Sequence, residues 1–475
     1  MTFAKDFIKL VSGTATAQAI NIAIIPILSR IYNPESFGVA AIFLSVVSVF
    51  APVMCLRYEL SIMLPKSEDE AKELFELCVI INVILTFVSM IIISIIYFNF
   101  SLFVNDKIRN CIFLIPIILF VQGLYLSFTY WFSRKSQFSS LSMASVLKPI
   151  SANSIKLVAG LKGYVFGVSL LAGDISGRII EVLYLLIDFC RGEKNNKTKF
   201  KKDNLLKLAV RYKNFPIYSS WGIFLNNLST QIPIFLLAVY FDSKVIGFFA
   251  ISMKMQMMPI EIMGNALSKV FFQRAAQIYA KNIIPSELVQ QLFRKIYMIG
   301  IFPCLIIIFW GKELTVFLLG NTWETTGQFI QIMGPVSLVL FIASTLGPLY
   351  AVYEKQGIAL ILNIIKCVLH TIALIIGGMT NNVFIAVSLF AISSIVVRMV
   401  DIGWFLKLSK VEFKRILSDM VFYTAFSLIL TCLSYYFTIK YCWTNWMIYL
   451  SLIIISSIYY YIVLFPFFRK KLLVH

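Results

Sequence analysis

Charge is scarce in this chain and acid is scarcer: of 475 residues, 23 are Asp or Glu against 42 Lys or Arg, and charged residues make up only 14%. A soluble domain needs about a quarter of its residues charged to keep its surface hydrated, so a water-exposed globule is excluded. Histidine occurs twice, at His370 and His475. The eight cysteines, Cys55, Cys78, Cys111, Cys190, Cys304, Cys367, Cys432 and Cys442, form no Cys-x-x-Cys pair, and nearly all lie in or beside apolar runs. They read as small apolar side chains, not as disulfides or metal ligands. No Gly-x4-Gly-Lys-Ser/Thr loop offers a cradle for nucleotide phosphates, and neither His-Glu-x-x-His nor Gly-x-Ser-x-Gly is present. With connections this short, no enzyme and no cofactor is expected. The N-terminus carries no small-residue cleavage site after a short apolar core, so no removable leader is expected either.

What remains is apolar. Hydrophobic residues make up 59% of the chain and mean hydropathy is +0.85, a composition that only a bilayer tolerates. A span of hydrocarbon takes about 20 apolar residues in a helix, because lipid offers the backbone no hydrogen-bond partner. Such runs predict fourteen helices near 10–31, 37–64, 77–98, 111–132, 141–161, 163–189, 215–240, 245–271, 292–310, 327–352, 358–379, 383–406, 418–438 and 444–466. The net charge of +19 does not point to nucleic acid, since the bases sit between apolar runs and form no polar face. With the N-terminus inside, 27 of the bases fall on the cytoplasmic side and 8 on the other. That asymmetry places both termini in the cytoplasm, as the retention of Lys and Arg by cytoplasmic loops predicts.

The most basic connection, Arg191 to Lys213, holds nine Lys or Arg and divides the helices six and eight. An internal repeat follows the same division. Ile25-Pro26-Ile27, Tyr32 and Gly38 recur as Ile232-Pro233-Ile234, Tyr240 and Gly247, and Ala41-Ile42 recurs as Ala250-Ile251. Glu73-Leu74-Phe75 returns as Gln291-Leu292-Phe293. A six-helix unit repeated in parallel is the reading. It gives an N-terminal lobe over 1–190, a basic linker over 191–214, a C-terminal lobe over 215–407, and two extra helices with a basic tail over 408–475.

Ionisable groups inside apolar helices are costly, about 2.5–3.5 kcal/mol each at a helix centre unless a partner or water meets them. They are Arg57 and Glu59 in the second helix, Lys148 in the fifth, and Asp174, Arg178 and Glu181 in the sixth. The second half adds Lys254, Glu261 and Lys269 in the eighth, Lys366 and His370 in the eleventh, and Arg398 and Asp401 in the twelfth. Asp174 with Arg178, and Arg398 with Asp401, stand at helical pair spacings. Arg57 and Lys148 lie where long side chains can also snorkel to the interface, and Arg30, ending the first helix, suits an interfacial anchor. Lys254 and Glu261 lie seven residues apart on one face near mid-membrane, which favours a wet cavity. The first and seventh helices are rich in Ser, Thr, Asn and Gln and each meets a proline, Pro26 and Pro233, a pattern that serves either a polar path or helix–helix hydrogen bonding. Gly163, Gly167, Gly173 and Gly177 in the sixth helix suit close packing.

Leu28-Ser29-Arg30-Ile31-Tyr32 with Pro34-Glu35 and Phe37-Gly38, then Leu56-Arg57-Tyr58-Glu59 and Met63-Leu64-Pro65, resembles the opening of the polysaccharide exporters. These include the Wzx-type flippases of O-antigen and capsule repeat units, in the group that also holds multidrug extruders and lipid II flippases. The resemblance implies an all-α polytopic inner-membrane protein of about fourteen helices. Two six-helix lobes would stand in pseudo-twofold arrangement around a central cavity with a cationic lining, with two extra helices at the C-terminus. It implies an undecaprenyl-pyrophosphate-linked oligosaccharide as cargo, and a polysaccharide polymerase and chain-length regulator as partners. On that reading Arg57, Lys254, Lys148 and Arg30 would take the pyrophosphate through charge-assisted hydrogen bonds. Glu59, Asp174 and Glu261 would couple transport to an ion gradient. The apolar spans of helices one and seven hold no acid, a departure from the cation sites of some drug extruders. An ion-coupled drug exporter and a non-transporting scaffold of sugar assembly stay open beside it.

Overall fold

The computed structural model describes residues 2–99, 111–192, 202–440 and 445–472. Sixteen helices run through them: α1 (Thr2–Ile31), α2 (Pro34–Phe50), α3 (Glu68–Asn99), α4 (Leu114–Arg134), α5 (Phe138–Leu161), α6 (Gly167–Gly192), α7 (Lys202–Arg211), α8 (Ser220–Tyr240), α9 (Ser243–Pro259), α10 (Asn265–Tyr279), α11 (Ser286–Leu319), α12 (Glu324–Leu346), α13 (Gln356–Met379), α14 (Val383–Leu408), α15 (Phe413–Lys440) and α16 (Asn445–Leu472). A helix lies at each of the fourteen expected places. Ten spans among the described residues are long and apolar enough to cross a membrane, and the chain is an integral membrane protein. α5, α6 and the α9–α10 run fall outside those ten. They are the helices that carry Lys148, Lys156, Asp174, Arg178, Glu181, Lys254 and Lys269.

Two expected helices are not continuous. The second was read as unbroken over 37–64, but α2 ends at Phe50 and gives way to short 3-10 turns, Ala51–Val53 and Tyr58–Met63. Pro52 stands in the first of these turns, where its ring and missing N–H stop a helix from propagating. The eighth, read over 245–271, is interrupted after Pro259 by a π-turn, Ile260–Gly264, the wider turn that a helix adopts where it takes in an extra residue.

The chain forms two compact units, Met1–Gly247 and Phe248–His475. The first closes after the seventh long helix because α8 packs on α2, so contact and the repeat partition the chain at different points. Within this unit α5 packs on α1 and α6, and Tyr32 Oη donates to the Lys156 carbonyl at 2.7 Å. Phe75 anchors an aromatic cluster with Phe128, Trp131 and Phe189, centroids 5.1–5.6 Å away. α7, from the basic connection, lays Leu205 and Leu208 into the same core.

The starts of α2 and α9 are built alike. Asn33 Oδ1 accepts from Ser36 N at 2.9 Å, and Asp242 Oδ1, 209 residues on, accepts from Val245 N at 3.0 Å. Gly38 and Gly247, at the same offset, cross each other: a Cβ on Gly38 would overlap the Ser243 carbonyl, and one on Gly247 the Pro34 carbonyl. Small residues let membrane helices approach to backbone contact.

In the second unit α11 is the centre, packed by α12, α15 and α16. The two helices beyond the repeat are seated by Tyr459 Oη donating to the Met298 carbonyl at 2.7 Å and by the Tyr459 ring stacked on Phe302 at 4.4 Å.

Candidate functional site

Between Phe50 and Tyr58 the backbone turns through two left-handed residues, Leu56 at φ 47° and Arg57 at φ 63°. Neither is glycine, and each such conformation costs on the order of 1–3 kcal/mol unless its surroundings hold it. The surroundings do so. Tyr58 Oη donates to the Ala209 carbonyl of α7 at 2.9 Å, Cys55 Sγ lies 3.4 Å from the Gly123 carbonyl oxygen of α4, and Arg134 Nη1 donates to the Ile62 carbonyl at 3.0 Å. The turn puts Arg57 Nη1 3.1 Å from Glu59 Oε1, with the Glu59 side chain fully buried and Arg57 partly open. Arg57 Nε and both Glu59 oxygens lack an aligned hydrogen bond, so charge rather than hydrogen-bond geometry holds the pair. Tyr58→Phe is expected to lower stability by about 1 kcal/mol, the usual worth of one such bond, read as a small fall in melting temperature in detergent.

The second constellation lies between α5 and α6. Gly173 and Gly177 face Ala152 and the backbone of α5, so the helices approach closely and their polar groups meet. Lys156 Nζ binds Asp174 Oδ1 at 2.6 Å, and Arg178 Nη1 binds Glu181 Oε2 at 2.6 Å. The Arg178 guanidinium lies over the Tyr125 ring of α4 at 4.1 Å. Lys148, half-buried, has Arg178, Glu181, Asp174 and Lys156 as its charged neighbours, yet no carboxylate lies within ion-pair range of it among the described residues. Three bases against two acids leave this seam with an excess of one positive charge.

Of the residues singled out from the sequence, Arg57 meets Glu59, and Lys148 shares a network with Asp174. The expected Asp174–Arg178 pair is not formed, because each finds a nearer partner in Lys156 and Glu181. Arg30 is exposed at the end of α1, and Lys254 is exposed on α9. Glu261 falls in the π-turn, and its side chain lies outside those described. Lys156 was counted among outer-end charges, and its place inside the seam was missed. The signal was available, since Lys156 and Asp174 stand 18 residues apart across one helical hairpin.

The second unit holds a comparable seam between α13 and α14. Arg398 Nη1 binds Asp401 Oδ2 at 3.2 Å, the expected pair, and Tyr350 Oη donates to Asp401 Oδ1 at 3.0 Å. Lys366 Nζ donates to Asn363 Oδ1 at 3.1 Å, and His370 Nε2 lies 3.1 Å from Ser394 Oγ. No group of His, Cys, Asp or Glu among the described residues is arranged to hold a metal ion.

An all-helical membrane fold with cationic seams inside its helix pairs is the architecture of a known class. The family described as "Polysaccharide biosynthesis protein" matches residues 27–327, and the chain belongs to that family. A comparison with curated proteins gave no match. Among solved structures, lipid II flippase MurJ in an inward closed conformation is similar over 98% of this chain and 99% of its own, with a TM-score of 0.72 at 13% identity. An inward-facing MATE family multidrug resistance transporter of the MOP superfamily is similar over 85% of this chain and 98% of its own, TM-score 0.63, 14% identity. A MOP superfamily transporter from Pyrococcus furiosus follows at 85% and 96%, TM-score 0.52, 12% identity. At these identities the likeness establishes the fold.

Proposed function

We propose that the chain is a flippase that moves undecaprenyl-pyrophosphate-linked oligosaccharide repeat units from the cytoplasmic to the outer face of the inner membrane by alternating access, for O-antigen or capsular polysaccharide. It performs no covalent chemistry. The observation that carries the reading is Lys148, a cation in the α5–α6 seam with no carboxylate in ion-pair range while the bases around it are already paired. A buried positive excess favours an anionic group and repels a cationic drug, so the charge supports a pyrophosphate. Family membership supports a role in polysaccharide synthesis, and the resemblance of the fold to MurJ supports a lipid-linked cargo. Arg57 is the second pyrophosphate contact, held ready by the strained turn, with Lys254 and Arg30 as outlying ones. Glu59 and Asp174 bind Arg57 and Lys156, so their part in ion coupling would require those pairs to break during the cycle. The polymerase and chain-length regulator would receive the flipped unit outside.

The test is the state of the lipid-linked pool. Cells deleted for the gene should accumulate the sugar-linked lipid on the cytoplasmic face and lose surface polysaccharide, both restored by the wild-type chain. Accumulation on the outer face would assign the chain to a later step. For orientation, a cysteine placed in the 191–213 connection of a cysteine-free background is expected to be shielded from an impermeant thiol reagent in intact cells, whereas one at Thr322 is labelled. The opposite labelling would invert the topology.

A further inference from the structure

The seam of the second unit takes no part in the reading above. α13 turns one stripe inward, Leu362, Lys366, His370 and Leu374, four residues apart and 7%, 8%, 7% and 1% exposed. Leu360, Ile364, Val368 and Ile372 on the opposite face are open to lipid. A lysine and a histidine are thus buried together inside a membrane helix pair. Intramembrane ionisable groups are rare and are kept where charge must move or be recognised.

Register with the first unit shows which part of this seam is shared. Val168-Ser169-Leu170-Leu171-Ala172 recurs as Val387-Ser388-Leu389-Phe390-Ala391, the ion pair Arg178–Glu181 recurs as Arg398–Asp401, and Lys148 recurs as Lys366. Each unit thus has a lysine on one helix and an i,i+3 arginine–acid pair on the next. The rest differs. Where the first unit has the salt bridge Lys156–Asp174 at 2.6 Å, the second has Leu374 and Ser394 at the corresponding positions. Where the first has Ala152, the second has His370, its ring edge-on to Phe390 at 4.7 Å and Nε2 against Ser394 Oγ at 3.1 Å. A salt bridge fixes the charge of its seam. A histidine facing a serine does not, because imidazole holds such a contact in either protonation state by exchanging donor for acceptor roles.

We propose that the Lys366–His370 pair is a proton site, loaded and emptied once per cycle, which makes the proton the coupling ion. The coupling role rests on the flippase reading, but the proton site does not. A proton adds to the Lys366 amine or to an imidazole nitrogen of His370 and later leaves to water, with only an N–H bond formed and broken. The two groups share one titration and act as a unit. The charged and titratable groups that meet them are Arg398 and Asp401 from α14, Tyr350 from the short Leu349–Val352 turn, and Cys367 on α13 itself. Asp401 is engaged by Arg398 and Tyr350, leaving Lys366 only the amide of Asn363 as a hydrogen-bond partner. A buried lysine with no carboxylate in range is the kind that changes protonation readily. Sodium is disfavoured, since it needs several free oxygen ligands and would sit beside an ammonium and a guanidinium. A phosphate would need more open space than residues less than a tenth exposed offer.

The test needs no cargo. Purified protein in liposomes on a solid-supported membrane is subjected to pH jumps across neutrality, and the displaced charge is recorded. The wild type should give a displacement current, and Lys366→Met with His370→Phe should lose it. The triple variant His370→Ala, Leu374→Lys, Ser394→Asp rebuilds the first unit's fixed pair, so it should insert and melt like wild type and lose the current too. His370→Gln is the mildest change and decides the matter if the others fail to insert. An undiminished current in any inserted variant overturns the proton site, and a sodium-evoked current removed by Asp401→Asn overturns the choice of ion. Currents lost in variants that still export polysaccharide at wild-type pH dependence overturn the coupling role while leaving the site.

Discussion

Arg57→Ala is expected to cut surface polysaccharide by about ten- to a hundredfold at equal protein abundance, since one charge-assisted hydrogen bond to a phosphate is worth about 1.5–3 kcal/mol. The substitution also removes the only ion-pair partner of a fully buried Glu59, and breaking a buried pair costs about 3–5 kcal/mol. Loss of export alone would therefore not separate binding from folding. Arg57→Ala combined with Glu59→Gln does separate them, because it removes both charges and leaves no orphan. The double variant should recover the wild-type melting temperature and still fail to export. Lys148→Ala should fail as strongly with little change in stability, because no carboxylate depends on Lys148. Lys148→Arg should keep much of the activity if charge is what matters. Normal polysaccharide in the double variant and in Lys148→Ala would remove both residues from the mechanism.

Much of this molecule is visible in one dimension because lipid imposes a simple rule: any stretch that crosses must satisfy its own backbone, so apolar runs are helices. Pro52 was equally visible, yet the second helix was read through it to Leu64, because an apolar run outweighs one breaker when hydropathy is averaged. The left-handed pair Leu56–Arg57 had no local sign at all, since neither residue favours positive φ. It exists because Tyr58, Cys55 and Arg134 tie the turn to α7 and α4, contacts far apart in sequence. The partners of charged residues were only half legible. Spacing found Arg398–Asp401, where both residues lie on one helix, but missed Lys156–Asp174, where the helix-to-helix register decides. Once the offset of 218 between Glu73-Leu74-Phe75 and Gln291-Leu292-Phe293 is carried forward, Lys148 falls on Lys366, so this relation was available in the repeat already recognised.

Gly38→Leu and Gly247→Leu are each expected to abolish the folded protein, the largest structural effect of any single substitution here. The two glycines are related by the offset that relates Asn33 to Asp242 and Ile25-Pro26-Ile27 to Ile232-Pro233-Ile234, and each backbone lies against the other's helix. A Cβ on Gly38 would overlap the Ser243 carbonyl and come within 3.0 Å of Gly247 N; a Cβ on Gly247 would overlap the Pro34 carbonyl and come within 3.0 Å of Gly38 N. These obstacles are backbone atoms, which cannot swing aside as a side chain would. Alanine at either site must push the helix starts apart, and overpacking of this kind costs about 1–3 kcal/mol or more. The caps set by Asn33 and Asp242 fix both helix starts at the crossing, which leaves little room for a compensating slide. Because the clash is reciprocal, the double alanine variant should cost less than the sum of the singles: one separation of the helices accommodates both methyl groups. Melting temperatures of the two single alanine variants and the double form the cycle that checks this, with strictly additive losses showing that the glycines act independently. Gly222, which has nothing within 4 Å of its added Cβ, is the control: alanine there should leave stability unchanged or raise it slightly by favouring the helix.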